Sequence, residues 1–414
     1  MKALLQPLRQ LLEPLGFAAK LAWERLETGS AFNPISAQMR VDPYGFYERI
    51  RTRDPVHRTR IIDGWLLTRY RDVDAVLRNH VAFSNRTRVL DERLESLLDS
   101  DPPDHTRLRG LVSKAFTPAA VANLRPRIER LVGRLLDSVA GQEHFDLIGQ
   151  FAYPLPITVV AEMLGVPPED MDRFEEWSNG IALSVEPIVT AKQIRYIRSN
   201  TVALQDYFEE IIELRRRKPQ DDMISALIAA EEEGEKLTHR ELINTLTLLL
   251  VAGNETTRNL IGNGTLALLR HPEQMQRLRD HPEMLDSAVQ EFLRYDAPVQ
   301  LDGRLCTSPI EVGGREIRPG HIVISAIGAA NRDPEAFPDP DRLDIGRQHT
   351  SHLSFGRGIH YCLGAPLAVM EAKIAFSALL ERYASIRLAA EPTARKQAVL
   401  RGPEQVWVEV EPGR

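Results

Sequence analysis

Residues 238–270 carry one unbroken helical pattern, with no proline among them. Thr238 and Glu241 stand at the T-x-x-E spacing of a capping box, in which two side chains satisfy orphan N–H groups at a helix start. The pattern stops before His271-Pro272, where a proline follows. Such a helix runs roughly 50 Å at about 1.5 Å per residue, far enough to cross the body of the protein. Its middle, LTLLLVAGNETT at 246–257, is apolar almost all round, so it is expected to be buried. Everything else in the chain has to pack around it.

The rest of the 414 residues has the same texture. Apolar residues at three- and four-residue spacing mark helices over 119–139, 199–217 and 366–383. Another helix starts near Pro282, a good first-turn residue, and ends before Pro298. Strand-like segments are few and cluster at 55–69, 309–327 and 396–411, separated by turns such as Gly313-Gly314 and Pro319-Gly320. Length suggests more than one domain, yet no repeat, low-complexity tract or Gly/Ser linker divides the chain. The expected architecture is mainly α with a minor β part: a single large domain over 32–414, preceded by an amphipathic extension over 1–31. That extension is leucine-rich, but Gln6, Arg9, Glu13, Pro14 and Lys20 interrupt its apolar runs. Nothing in it approaches the roughly 20 apolar residues of a membrane span, and it has no signal-peptide core. A helix broken near Pro14 and packed on the body is expected.

Composition narrows the function. A net charge of -6 argues against nucleic acid as a partner. Two cysteines, Cys306 and Cys362, cannot build a disulfide framework or a four-thiolate metal site. A cytoplasmic setting follows most simply.

Two helices carry anomalies. Gly253 in the long helix costs about 1 kcal/mol relative to alanine. Asn254, Glu255, Thr256 and Thr257 follow it, all polar. A threonine can hydrogen-bond back to the carbonyl four residues earlier and open the helix locally; for Thr256 that residue is Ala252. An opened groove beside an acid would hold a small ligand and water, and Glu255 would be costly to bury unless paired or functional. On the helix after Pro282, Glu291 and Arg294 share one face. That E-x-x-R spacing is weak alone, because Glu48/Arg51 and Glu213/Arg216 also have it.

Cys362 lies in FGRGIHYCLG at 355–364. A nucleophile would want a recognisable base arrangement, and a zinc site would want partner ligands at finger spacing. Neither is present. A single thiolate can instead hold one axial position of a large cofactor, and haem iron accepts that ligation. The thiol precedes a helix whose first turn contains Pro366, so the helix dipole and free N–H groups favour thiolate. Gly356, Gly358 and Gly364 would let backbone approach a flat ring with positive φ. Cys306, in a strand-like context without glycines, is expected to be a buried apolar side chain.

FGRGIHYCLG resembles the cysteine loop of the cytochromes P450, F-G-x-G-x-H-x-C-x-G, with all six fixed positions matched at their spacing. AGNETT (252–257) resembles that family's oxygen-groove motif, and EFLR (291–294) its E-x-x-R pair. FPDPDRLDIGR (337–347) resembles the meander before the cysteine loop, and DPPDHTRLRGLVSKAFTP (101–118) the haem-contacting helix of soluble bacterial members. The motifs follow the family's order, and the likeness extends from about Phe32.

The resemblance implies a P450 fold around haem b, with Cys362 as the iron ligand in a loop that includes Phe355, Gly356, His360 and Gly364. It implies that Ala252 and Gly253 form the oxygen groove and that Glu255 and Thr256 relay protons. His105, Arg109, Arg304 and His360 would anchor the propionates. Glu291, Arg294 and Arg342 would form a structural cluster under the cysteine loop. Residues 84–98, Thr247, Val251, 298–301 (Val299 and Leu301 among them) and 397–401 (with Val399 and Leu400) would face substrate. The activity implied is a monooxygenase that takes O2 and two electrons and hydroxylates an apolar small molecule: a fatty acid, terpenoid, steroid or polyketide-like compound. The chain is expected to be too short for a fused reductase, so electrons would come from a ferredoxin or flavodoxin with its reductase, to a monomer. A peroxide-driven peroxygenase and a non-enzymatic haem protein are the alternatives.

Overall fold

In the computed structural model, residues 16–87, 96–167, 170–232, 237–348 and 351–413 are described. The long helix forms as expected, His239–Arg270, and Thr238 and Glu241 make the reciprocal capping box. It packs against Pro154–Leu164, Met171–Ala182, Ala191–Arg217, Leu285–Tyr295 and Ala365–Arg382. Its two halves belong to different apolar clusters. Leu242, Ile243, Leu246 and Leu250 join one with Phe174, Phe208 and Ile212. Leu260, Ile261, Ala267 and Leu268 join the other with Phe151, Phe292 and Phe376. Between them the helix is not uniformly buried: Ala252 is exposed, whereas Asn254, Glu255 and Thr257 are buried. The hydrophobic pattern could not reveal this interruption, because alanine reads as apolar wherever it points.

The other expected helices are present. Pro118–Ser138 and Ala365–Arg382 match their patterns closely. The helix expected from 199 begins at Ala191, because Thr190 and Gln193 form a second capping box upstream of the apolar run. Leu285–Tyr295 is preceded by a tighter turn over Pro282–Met284.

The minor β part is dominated by a five-stranded sheet in the order Val56–Thr59, Gly64–Leu67, Ile322–Ala326, Leu301–Cys306, Phe83–Ser84. Only Gly64–Leu67 and Ile322–Ala326 pair in parallel. At the start of that pair, a Cβ on Gly64 would lie 2.1 Å from the Ile322 carbonyl oxygen, so only glycine permits the approach. Cys306 is buried, 3.1 Å from the Ser308 carbonyl. At the C-terminal end, Thr393–Ala394 pairs with Pro403–Gln405, and Trp407–Pro412 lies between His144–Asp146 and Tyr383–Leu388.

A helix over 16–28 packs on this body through buried Glu24 and, at the surface, through Glu27, which accepts two bonds from Arg60. Glu24 is buried and accepts from the N–H groups of Phe32 and Arg60, from the Thr59 hydroxyl and from His57 Nε2. Trp23 and Leu26 face outward. The expected break near Pro14 lies outside the described residues. Among the described residues, no helix is long and apolar enough to cross a membrane.

Candidate active site

The cysteine loop is built from two left-handed glycines. Gly356 has φ +70° and Gly358 φ +67°. A Cβ on Gly358 would also meet the Leu77 carbonyl oxygen at 2.8 Å. Gly364 differs from expectation: its φ is -82°, an ordinary conformation, because it caps the start of Ala365–Arg382. The loop is closed by the Cys362 N–H donating to the Phe355 carbonyl at 2.8 Å, and the Phe355 ring leans on Tyr361. Cys362 is itself exposed. Although its surface is accessible, the protein packed around the loop limits solvation of a thiolate and pushes its thiol up, while the N–H groups of Gly364 and Ala365 and the charge of Arg109 pull it back. The expected thiolate-favouring N–H groups are therefore present, but the loss of solvation outweighs them.

Beside this loop, two imidazoles meet. The rings of His105 and His360 have centroids 4.2 Å apart. Both ring nitrogens of His105 and Nε2 of His360 are buried without a protein partner. Arg109 reaches the same place and donates to the Tyr361 carbonyl at 2.6 Å. Arg304 is buried on its strand, paired with Asp302 at 2.9 Å. Burial pushes His360 down to about 3, helped by the charges of Arg304, His105 and Arg109. Burial, then Arg109, also lowers His105. The imidazoles are therefore neutral, each keeping one N–H to donate.

On the central helix, Thr256 Oγ1 donates to the Ala252 carbonyl at 2.8 Å. Gly253 is explained by packing: a Cβ there would lie 2.9 Å from Val160 Cγ2. Glu255 is fully buried and turned toward arginines. Its Oε2 is clasped by Arg395, with Arg258 at 3.9 Å, and its Oε1 has no protein partner.

The sequence and fold can be matched against known proteins. The family model described as Cytochrome P450 matches residues 65–408. The chain belongs to the cytochrome P450 family. Cytochrome P450 107B1 of Saccharopolyspora erythraea is 43% identical over 402 residues, covering 91% of this chain and 96% of that one. Cytochrome P450 monooxygenase PikC of Streptomyces venezuelae is 41% identical, covering 85% and 86%. The crystal structure of P450BioI in complex with hexadec-9Z-enoic acid ligated acyl carrier protein superposes with a TM-score of 0.86 at 38% identity, covering 91% of this chain and 100% of that one. This P450 is accordingly a monooxygenase, and its cofactor is haem b.

The residues present fit that group. An accessible thiol, two neutral imidazoles with unpaired buried nitrogens and two guanidiniums form the donor set that one iron and two carboxylates require. The exposed Ala252 supplies a small-residue surface on the long helix.

The expected substrate-facing side chains also come together. Leu301, Val399 and Leu400 are buried in one cluster, with Val251 and Val299 packed against it. Residues Val299 and Leu400 form a β-bridge. Thr247 is buried and its hydroxyl is spent on its own helix, donating to the Ile243 carbonyl at 2.9 Å. Of segment 84–98, residues 88–95 lie outside the described residues.

The structural cluster forms with one change of member. Glu291 and Arg294 are fully buried and pair through two bonds, at 2.7 and 2.8 Å. The second arginine is Arg347, whose Nε lies 3.2 and 3.3 Å from the Glu291 oxygens. Arg342 is exposed and contributes only its carbonyl, to Arg294 and Arg347. Both arginines belong to FPDPDRLDIGR; the turns of that segment, not its composition, decide which points inward. Arg347, Arg395 and Arg258 were not singled out by sequence reasoning. For Arg395 no local signal exists, since its partner lies across the fold.

Proposed function

We propose that this P450 hydroxylates an apolar small molecule of fatty acid, terpenoid, steroid or polyketide type, as a cytoplasmic monomer that draws electrons from a ferredoxin or flavodoxin and its reductase. The observation that carries the substrate class is the gathering of Val251, Val299, Leu301, Val399 and Leu400 at one place. Burying an apolar substrate against such side chains contributes about 25 cal/mol per Å2. The relatives' names, which include a fatty acyl carrier complex, agree with that chemistry without choosing among its members.

Haem, once bound, would supply O2 activation, and Cys362 would supply the thiolate that donates electron density to it. The chain's own part is holding and moving protons. Thr256 keeps a hydroxyl at the Ala252 carbonyl, where it can take a proton from one side and donate it on the other. Glu255 is the acid behind it. The arginines that clasp Glu255 line a polar cavity of about 490 Å3 with Tyr153, Glu175, Gln397 and Glu404. Tyr153 Oη, Arg258 Nε and Gln397 Oε1 are buried there without protein partners, which suits ordered water. A proton would pass from this cavity to Glu255 and then to Thr256. This relay favours O2 over peroxide, since a peroxygenase has no need of it.

The test has two arms. The dithionite-reduced carbonyl complex is recorded for wild type and Cys362→Ser; a strongly red-shifted Soret band in wild type alone assigns the thiolate to Cys362. Turnover of a fatty acid is then compared with NAD(P)H and surrogate partners against hydrogen peroxide. Faster peroxide-driven turnover would overturn the monooxygenase cycle for this chain's Glu255 and Thr256.

A further inference from the structure

One acid at the substrate cluster has no place in the relay. Glu186 follows the short turn Leu183–Val185, in the connection between Met171–Ala182 and Ala191–Arg217. Its carboxylate accepts from the N–H of Ala398 at 3.1 and 3.0 Å and from the N–H of Val399 at 3.0 Å. Burial raises its carboxyl above the ordinary carboxylate value, and the N–H groups of Ala398, Val399 and Leu400 together with the charge of Arg40 work against that rise. Consecutive N–H groups around one carboxylate make an anion-binding nest. Here the anion is a side chain from more than two hundred residues away in sequence.

The same short segment is tied from its other edge. Gln300 N–H donates to the Val399 carbonyl at 2.8 Å, and Arg401 N–H to the Pro298 carbonyl at 2.9 Å. Val299 and Leu400 pair between those bonds. Apart from its apolar packing, the wall that carries Val399 and Leu400 is therefore tied by hydrogen bonds to segment 298–300 on one side and to Glu186 on the other. Ala182, at the end of the helix before Glu186, belongs to the same apolar cluster as Val399 and Leu400. Glu186 thus joins the helix connection to the cluster wall at the place where the two elements meet.

We propose that Glu186 is a positioning residue that clamps the 398–400 wall to the helix connection and thereby sets how wide the substrate site opens and how fast bulky molecules enter and leave. This rests on the reading of Val399 and Leu400 as substrate-facing. Charge-assisted hydrogen bonds to backbone N–H groups are roughly twice as strong as neutral ones. Losing several together leaves that side of the wall with its apolar packing alone. Small ligands pass without movement of the wall and large ones do not.

The experiment uses the full-length holoprotein and two azole probes that report through the haem absorption spectrum: imidazole, which is small, and clotrimazole, which is bulky. Glu186→Ala should speed both association and dissociation of clotrimazole by about tenfold or more, the factor that about 1.4 kcal/mol represents. It should leave imidazole kinetics within about twofold. Glu186→Gln keeps one acceptor oxygen and should fall between the two. Amide hydrogen exchange in peptides covering 398–400 should accelerate in the same order. Val399→Phe, with Glu186 intact, tests the underlying reading, because it should block clotrimazole but not imidazole. If Val399→Phe blocks clotrimazole while Glu186→Ala changes neither clotrimazole kinetics nor exchange, the clamp is refuted. If Val399→Phe changes nothing, the wall is not part of the substrate site and the proposal falls with it. Equal acceleration of both azoles by Glu186→Ala would signal general loosening and would likewise overturn the proposal.

Discussion

Replacing Arg347 by alanine should destabilise this P450 by about 2–4 kcal/mol, whereas replacing Arg342 should cost almost nothing. The figure follows from the bonds that Arg347 makes. Its Nε is shared between both oxygens of a carboxylate with no solvent exposure. A hydrogen bond to a charged group contributes about 1.5–3 kcal/mol. Its other nitrogens donate to the carbonyls of Pro338, Asp339 and Arg342, at 2.7, 3.2 and 3.1 Å, and each such bond adds about 0.5–1.5 kcal/mol where water cannot replace it. The side chain is 12% exposed, so water recovers part of that loss. Glu291 would keep Arg294 and the Asp344 N–H at 3.0 Å. The change therefore stays below the roughly 3–5 kcal/mol expected when a buried charge loses its partner outright. Arg294→Ala should reach that larger cost, because it removes the two-bond partner of a buried carboxylate. Arg342 keeps its carbonyl in Arg342→Ala, so its change should stay within about 0.5 kcal/mol. Urea titration followed by far-ultraviolet circular dichroism measures all three as midpoint shifts at unchanged slope. An Arg342→Ala variant as unstable as Arg347→Ala would refute the assignment of Arg347 to the cluster.

Other expectations follow from single groups. Burial works against charge on both members of the Glu24–His57 pair, but their mutual hydrogen bond, joined by Asp54 on the histidine and by the Phe32 and Arg60 N–H groups on the glutamate, outweighs it; Glu24 is lowered and His57 raised. The contribution of His57 is full below its ordinary 6.5 and fades as pH rises through the raised value, while that of Glu24 is full above 4.5 and fades as pH falls through the lowered value. Docking of helix 16–28 should therefore be tightest between those pH values, and amide exchange across 16–28 that is slowest outside that window would contradict it. Burial alone pushes Glu371 up to about 8. The native state then holds a proton that the unfolded state releases, so stability should fall with rising pH across 4.5 to 8 by about 1.4 kcal/mol per unit from this group. Glu371→Gln should flatten that slope in denaturation midpoints measured across the range. Thr256→Ala should keep the red-shifted carbonyl spectrum but divert electrons to peroxide, read as hydrogen peroxide formed per NAD(P)H; unchanged coupling would remove Thr256 from the relay.

What was legible in the sequence had its signal close by. The central helix announces itself through Thr238, Glu241 and thirty-odd residues of one period, and it forms over the range read, although its middle is open at Ala252 and not buried throughout. The Thr256 bond to Ala252 is local too, set by helix geometry alone. The E-x-x-R spacing shows where this ends. It occurs at Glu48/Arg51, Glu213/Arg216, Glu255/Arg258 and Glu291/Arg294; the first two keep an exposed glutamate, the third is buried but 3.9 Å apart, and only the last is fully buried and directly bonded. Burial, not spacing, makes the pair a structural cluster, and it comes from the meander closing over it. Arg347 rather than Arg342, Arg395 on Glu255 and Glu186 on Ala398 and Val399 are the same kind of fact. In each, at least one partner arrives from an irregular segment distant in the chain. Periodicity states which face a residue presents. It carries no information about which distant turn will meet that face, because turns are set by a few φ/ψ choices whose consequences accumulate across many residues. The polar partners that lock and tune this site are therefore the part that required the three-dimensional structure, and they are also where substitution can alter proton supply and site width without touching the haem-binding residues.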